Sequence, residues 1–176
     1  AGRAINSTPV VSDNILYLGA NDGTLRAISL SDGSPAWRRE FRAGNGINSA
    51  LIAAGGYIFF TTNNNSVVSV NAATGIGKWS RRLQFRFGAN SPVYAENTLF
   101  VSSGPRLHAM QTTSGNVRWS RDFPADLQFA PIVDSGTIFV IDRNKNMYAL
   151  QAVNGRPVWK NAVELPLLPA ASPTIS

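Results

Sequence analysis

Short apolar segments alternate with clusters of turn residues along the whole chain. Within the clearest of them, side chains of opposite character alternate with a period of two, which indicates β-strands with one face toward a core. The intervening clusters are rich in Asn, Asp, Ser and Gly, the residues that favour tight turns. The most regular of these strand segments are Leu25–Ile28, Val67–Val70, Leu107–Met110 and Met147–Leu150.

The strand pattern repeats about every 40 residues, and the tryptophans mark its period. They are 42, 40 and 40 residues apart, and each follows a glycine by four positions. These glycines stand at predicted hairpin tips, where the backbone needs a positive φ. The tryptophans are Trp37, Trp79, Trp119 and Trp159, and the glycines are Gly33, Gly75, Gly115 and Gly155.

Four antiparallel strands in each repeat are typical of the blades of a β-propeller. The sequence therefore predicts an all-β fold with blades at approximately 5–44, 45–86, 87–126 and 127–168. Residues 169–176 are predicted to begin a fifth blade, because Ala171–Ile175 repeats Ser7–Val11. We expect an open arc, or part of a seven- or eight-bladed propeller, and therefore either a longer native chain or self-association through the terminal blades.

The repeat resembles the pyrroloquinoline-quinone-like (PQQ-like) repeat family of propellers. The resemblance rests on the order of four segments: an S-P-V-V type segment, an apolar strand, L-x-A-(L/I) and T-G-x-x-x-W. This family includes quinone-dependent dehydrogenases, the propeller lipoprotein of the outer-membrane protein assembly machinery, and scaffolds without a cofactor. The resemblance implies that the four tryptophans and the tip glycines lock neighbouring blades together. It also implies a periplasmic, secreted or cell-envelope location. The aspartate that the family commonly has after L-x-A-L is replaced here by Ser29, Asn71, Gln111 and Gln151.

Composition removes several classes of function. The chain has no cysteine, which excludes disulfides, thiol catalysis and cysteine zinc sites, and no apolar run reaches the ~20 residues that span a bilayer. The formal charge is +6, and 13 of the 16 cations are arginine, but no run of five appears, so nucleic-acid binding is not favoured. Cations recur just after each tryptophan and predict a basic outer rim, which could bind an anionic surface or simply protect strand edges. They are Arg38, Arg39, Arg81, Arg82, Arg121 and Lys160.

Candidate catalytic chemistry is sparse. His108 is the one histidine and is expected to be a partly exposed strand residue, so we predict no catalytic, cofactor-binding or metal-binding residue and no bound cofactor. Asp142 and Glu164 are isolated acidic residues that the fold could still recruit. Part of a dehydrogenase dependent on PQQ and calcium therefore stays the alternative hypothesis.

The linkers between blades are more apolar than loops on a wet surface usually are. In an up-and-down blade they lie on the same face as the second turn of each sheet. Their apolar side chains either pack between blades or form a binding surface. The leading hypothesis is a non-catalytic scaffold that binds another protein through this face. The residues predicted to bind the partner are Phe85, Arg86, Phe87, Leu127, Leu167 and Leu168.

Overall fold

The computed structural model describes residues 4, 5, 7–87 and 91–167, and in these ranges sixteen strands form four antiparallel sheets of four strands each. Each sheet keeps the chain order of its strands, which is the up-and-down blade predicted from the repeat. The all-β propeller fold class is thereby confirmed. None of the described residues forms a helix long and apolar enough to cross a membrane. The expected first strand of a fifth blade lies outside the described residues.

The chain divides into two compact units. The first comprises Ala1–Leu83 and Thr113–Gly115 and contains the first two sheets. Its first sheet has β1 (Val10–Ser12), β2 (Ile15–Gly19), β3 (Thr24–Ser29) and β4 (Phe41–Arg42). Its second sheet has β5 (Ile52–Ala54), β6 (Tyr57–Thr62), β7 (Ser66–Asn71) and β8 (Gly77–Arg82).

The second unit comprises Gln84–Thr112 and Asn116–Ser176 and contains the other two sheets. The third sheet has β9 (Val93–Ala95), β10 (Thr98–Ser103), β11 (Arg106–Gln111) and β12 (Val117–Asp122). The fourth sheet has β13 (Ile132–Asp134), β14 (Thr137–Ile141), β15 (Asn146–Gln151) and β16 (Val163–Glu164).

Burial within each blade follows strand position. In the second and third sheets the second and third strands are buried on both faces, as in β6 and β10, whose sequences are continuous runs of apolar and small side chains. The fourth strands β8 and β12 are mostly exposed and carry the charged residues. The core of each unit therefore lies around the middle strands, with Phe60 and Val70 buried in the first unit and Phe100 and Leu150 in the second.

The fourth strands differ in length because of proline. β8 and β12 have six residues, whereas β4 and β16 have only two. In the same two blades a proline stands two residues before the tryptophan, ahead of the shortened strand, and its ring leaves no N–H to donate to the ladder. Pairing there is reduced to the isolated bridges Ile28–Pro35 and Leu150–Pro157.

In the blades with shortened fourth strands, two more residues separate the tryptophan from the paired part of the strand. Leu25 pairs with Phe41, four residues after the tryptophan of its blade, whereas Val67 pairs with Arg81, two residues after its tryptophan. The first blade therefore holds two extra residues at this point. They account for the tryptophan spacing of 42 instead of 40 residues at the start of the chain.

Candidate functional site

The linkers bind to the second turns of consecutive blades by backbone hydrogen bonds. In the first unit Ile47 donates to Ala20 in one second turn, and Asn63 in the next second turn donates to Gly46. In the second unit Leu127 donates to Gly104 over 2.9 Å, and Arg143 donates to Asp126. The linkers and the second turns therefore lie on one face within each unit, as the strand directions predict.

Leu127 does not contribute to an exposed binding surface. Its side chain is only 4% exposed and belongs to the core cluster of the second unit, which corrects its assignment as a partner-binding residue. Ile47, at the equivalent linker position of the first unit, is 0% exposed. The backbones of Ile47 and Leu127 each form a β-bridge with the following blade. Because this bridge holds the side chain against the core, an apolar residue fills the position and packs between blades.

Phe85 is half-buried against the second turn of the third sheet. A Cβ added to Gly104 would lie 2.8 Å from the Cβ of Phe85, so the absence of a side chain at Gly104 allows the close approach. The Ser103 hydroxyl donates to the Phe85 carbonyl over 2.6 Å, and the Arg106 guanidinium lies 5.6 Å from the centre of the Phe85 ring. Arg106 and Asp122 form an ion pair beside it.

The ion pair fixes the charge state around this aromatic ring. Hydrogen bonds from the Arg106 guanidinium lower the pKa of the Asp122 carboxyl, and the same contact raises the pKa of Arg106. The Arg106 guanidinium is held over the ring as a permanent charge. The Arg106–Asp122 ion pair itself contributes little to stability, because both side chains are solvent-accessible and salt screens their attraction.

The other predicted binding residues differ in exposure. Arg86 is exposed, Phe87 is half-buried, and Leu167 is 78% exposed; Leu168 lies outside the described residues. We define the linker surface as Phe85, Arg86, Phe87 and Arg106 in the second unit. The first three are consecutive in the chain, and Arg106 joins them through its contact with the Phe85 ring. The linker surface combines two partly exposed aromatic residues with two cationic ones.

The tryptophans lie on the tip glycines of the following hairpins. In the first unit a Cβ added to Gly75 would be 2.6 Å from Trp37, and one added to Gly115 would be 2.6 Å from Trp79. The Trp37 indole N–H also donates to the Ala72 carbonyl over 2.7 Å. These tip glycines have φ near +70°, as predicted, so conformation and close packing both require glycine.

The second unit repeats this contact. Trp119 lies on Gly155, where an added Cβ would be 2.7 Å from the ring, and its indole N–H donates to the Ala152 carbonyl over 3.1 Å. We call this arrangement of an indole on a tip glycine, with its N–H bonded to the backbone of that turn, the tryptophan lock.

Arginines add hydrogen bonds to the tryptophan lock, and the sequence analysis did not predict these bonds. Arg81 donates to the Ser114 carbonyl over 3.2 Å, and Arg121 donates to the Gly155 carbonyl over 3.3 Å. Each arginine follows its tryptophan by two positions, so the recurrence is visible in the sequence. There it predicts only a basic outer rim. Two members of the basic rim therefore bind the following hairpin, while Arg38, Arg39 and Arg82 are exposed.

His108 is buried, and the expectation of a partly exposed strand residue was wrong. It is 6% exposed on β11, between β10 and β12 in its sheet, and neither ring nitrogen has a hydrogen-bond partner among the described residues. Burial, with the nearby Arg106 charge, lowers the pKa of His108 to about 4. The ring is therefore a neutral packing residue at neutral pH.

Asp142 is the buried carboxylate of the second unit, at 0% exposure. It accepts a hydrogen bond from the Asn146 backbone N–H over 2.9 Å and another from the Tyr148 hydroxyl over 3.0 Å. Burial and this carboxylate raise the pKa of Tyr148 to about 12. Asp142 thus organises the turn between β14 and β15.

The described residues include no cluster of acidic side chains of the kind that holds calcium. Calcium takes six to eight oxygen ligands, usually with several carboxylates. In the described ranges no three His, Asp or Glu side chains gather into a possible metal site, and the Asp142 oxygens are engaged within their own turn.

Two grooves lie beside the shortened fourth strands. The larger, of about 330 Å³, borders Trp37 and is lined by Arg26, Arg38, Arg39 and Glu40. Arg26 Nε lies 3.0 Å from a Glu40 carboxylate oxygen, so part of its positive charge is neutralised. A smaller groove of about 120 Å³ borders Trp159 in the second unit.

Comparison with known proteins identifies the repeat. The family described as "Outer membrane protein assembly factor BamB" matches residues 1–86 and 79–176. Among curated proteins, the serine/threonine-protein kinase AfsK of Streptomyces griseus is 36% identical over 72 residues, which are 38% of this chain and 9% of the kinase.

Solved structures share the fold at low sequence identity. BamB from Moraxella catarrhalis has a TM-score of 0.79 at 16% identity, covering 89% of this chain and 53% of BamB. The quinohemoprotein alcohol dehydrogenase from Comamonas testosteroni has a TM-score of 0.73 at 14% identity, covering 90% of this chain and 35% of the enzyme. The computationally designed Ika4 protein has a TM-score of 0.72 at 14% identity, covering 85% of this chain and 91% of Ika4. The chain thus spans about half the length of BamB and about a third of the dehydrogenase.

Proposed function

Because the chain belongs to the BamB family of PQQ-like repeat propellers, we propose that it is a non-catalytic scaffold that binds another protein outside the cytoplasm through its linker surface. The family name describes an assembly factor of outer-membrane proteins, and this supports a protein partner and a cell-envelope location.

The observation that carries the proposal is the accessibility of Arg86 between two half-buried aromatic residues. Phe85 and Phe87 are each partly exposed, and the Arg106 guanidinium is held over the Phe85 ring. Aromatic and arginine side chains dominate the energetics of protein interfaces, because they bury a large area at a low entropic cost. A partner that covered this surface would gain from apolar burial and from pairing with Arg86.

The partner chemistry follows from the charges. Asp122 already neutralises Arg106, whereas the guanidinium of Arg86 is exposed. A partner with an apolar segment flanked by a carboxylate fits this arrangement, because the carboxylate can accept two parallel hydrogen bonds from Arg86.

Site-specific photocrosslinking tests the proposal. A photoreactive amino acid replaces Arg86 in one variant and exposed Arg38 in the matched control, and adducts formed in cells are identified by mass spectrometry. We expect one protein adduct, from the cell envelope, that forms at position 86 and not at position 38. Identical adducts at both positions, or none at position 86, would show that the linker surface does not bind a partner.

A further inference from the structure

The smaller of the two grooves lies between neighbouring blades of the second unit. Arg121 of the third blade lines it, together with Tyr148, Trp159 and Lys160 of the fourth. We call this groove the interblade pocket. Because both of its walls belong to the described repeats, its shape rests on contacts within these repeats.

The groove of the first blade shows that a following blade leaves such a groove open. It borders Trp37, which corresponds to Trp159 in the repeat. Trp37 lies on Gly75 of the following hairpin, where an added Cβ would be 2.6 Å from the ring, and the groove still has a volume of about 330 Å³. Covering the tryptophan with a hairpin tip therefore does not fill the groove.

The interblade pocket forms because the fourth strand leaves its ladder around the tryptophan. Val158 still donates to the Ala149 carbonyl over 2.8 Å, and strand pairing resumes where Val163 lies opposite Met147. Residues 159–162, between these two points, line one side of the pocket. The two extra residues of this blade thus build the pocket into the fold.

The two grooves differ in charge. In the first blade a Glu40 carboxylate oxygen lies 3.0 Å from Arg26 Nε and neutralises part of the positive charge. Ala162 stands at the position of Glu40 in the interblade pocket, and none of the described residues that line this pocket is acidic. Arg121 and Lys160 therefore place two positive charges there. Because like charges repel at short range, an anion between them is favoured.

Hydrogen-bond donors surround the same space. One nitrogen of the half-buried Arg121 guanidinium donates to the Gly155 carbonyl over 3.3 Å, and this planar group carries further N–H donors. Asn161 adds a side-chain amide. Asp142 accepts a hydrogen bond from Tyr148 over 3.0 Å but is 0% exposed, so its carboxylate is not part of the lining. Cationic donors therefore dominate the pocket.

We propose that the interblade pocket binds a phosphate group, with the Arg121 guanidinium donating to its oxygens and Lys160 supplying the second positive charge. A phosphate dianion neutralises both cations, whereas one carboxylate would leave a charge uncompensated. The volume of about 120 Å³ admits one small group, which is free phosphate or the terminal phosphate of a larger molecule. This site goes beyond the protein-binding scaffold, because it uses neither the linker surface nor a protein partner.

An NMR titration with inorganic phosphate tests the pocket, at an ionic strength kept constant with sodium chloride so that general screening does not change. We expect saturable shifts of the Trp159 indole N–H and of the Asn161 side-chain amide. Lys160→Gln should weaken phosphate binding about fivefold, the value of one partly exposed ion pair. Arg38→Gln, at the equivalent position of the first blade, is the control and should change binding less than about twofold.

Two variants of one exposed residue test the charge without removing a cation. Ala162→Glu places a carboxylate where the first blade has Glu40, and it should weaken phosphate binding at least about tenfold. Ala162→Gln has the same size without the charge and should bind phosphate like the original chain. Glycerol phosphate, titrated in parallel, distinguishes the two sources. Binding of both ligands indicates the terminal phosphate of a larger molecule, and binding of inorganic phosphate alone indicates the free ion.

Three results would overturn the proposal. One is the absence of saturable shifts at Trp159 and Asn161. Another is equal weakening by Lys160→Gln and Arg38→Gln, which would assign phosphate to the basic rim as a whole. The third is equal binding by Ala162→Glu and Ala162→Gln. Circular dichroism confirms that each variant is folded before it is compared.

Discussion

Replacing Trp119 and Trp159 by alanine measures the free energy of one tryptophan lock. The two residues are equivalent, 40 positions apart in the second unit, and each packs on an aromatic residue of its own blade. The ring centres are 6.1 Å apart for Trp119 and Phe100, and 5.7 Å for Trp159 and Phe139. Only Trp119 has a described tip beneath it, so the difference between the variants isolates the lock.

The magnitude follows from what each variant loses. Trp119→Ala removes a large side chain packed on Gly155 and the hydrogen bond to Ala152, and such core truncations cost ~3 to 5 kcal/mol. Trp119→Phe keeps an aromatic ring and loses mainly the hydrogen bond, so it should cost about 1 kcal/mol. Among the described residues, Trp159→Ala loses the packing on Phe139 within its own blade and has no tip glycine to lose, so it should cost ~1 to 2 kcal/mol less than Trp119→Ala.

Urea unfolding followed by far-ultraviolet circular dichroism measures these losses, at a concentration too low for self-association. Two resolved transitions would be fitted separately, since the chain has two compact units. Equal free-energy losses for Trp119→Ala and Trp159→Ala would refute the inter-blade role of the tryptophans.

Three further predictions concern buried groups and a tip glycine. The pKa of His108 is about 4 in the folded chain and about 6.5 in the unfolded chain. The neutral ring therefore contributes its full stabilisation above pH 6.5, and the free energy of unfolding falls by about 3 kcal/mol as the pH drops to about 4. His108→Val should remove this pH dependence in urea titrations at several pH values, and an unchanged profile would contradict the prediction. Gly155→Ala should cost ~1 to 3 kcal/mol more than Gly33→Ala in thermal or urea unfolding, because both have a positive φ but only the first meets an indole; equal costs would contradict the packing argument. Tyr148→Phe leaves Asp142 without one of its donors and should lower the free energy of unfolding by ~1 to 3 kcal/mol, whereas an unchanged urea midpoint would show that this hydrogen bond adds nothing.

The sequence predicted the features that recur within one blade. The tryptophan period, the tip glycines and the alternating third strands were sufficient for four-stranded blades, because strand pairing and turn conformation depend on residues near in sequence. The tip glycines have the positive φ that their turns predicted.

Contacts between blades were predicted less well, because they join residues that lie far apart in the chain. Leu127 was assigned to an exposed surface although the following blade buries it, and His108 was expected to be partly exposed. The hydrogen bonds of Arg81 and Arg121 to the following tip were missed for the same reason. A cation at a strand edge has the same sequence pattern whether it donates hydrogen bonds to water or to a neighbouring turn.

The dissociation constant for the protein crosslinked at position 86 tests the proposed function most directly. It is measured by calorimetry for the original chain, for Arg86→Glu and for the control Arg38→Glu, which makes the same charge change at an exposed position of the basic rim. An interface centred on the linker surface predicts that Arg86→Glu weakens binding by about 30-fold, equivalent to ~2 kcal/mol, while Arg38→Glu changes it less than about twofold. Equal weakening by both substitutions, or none by Arg86→Glu, would contradict a protein-binding linker surface.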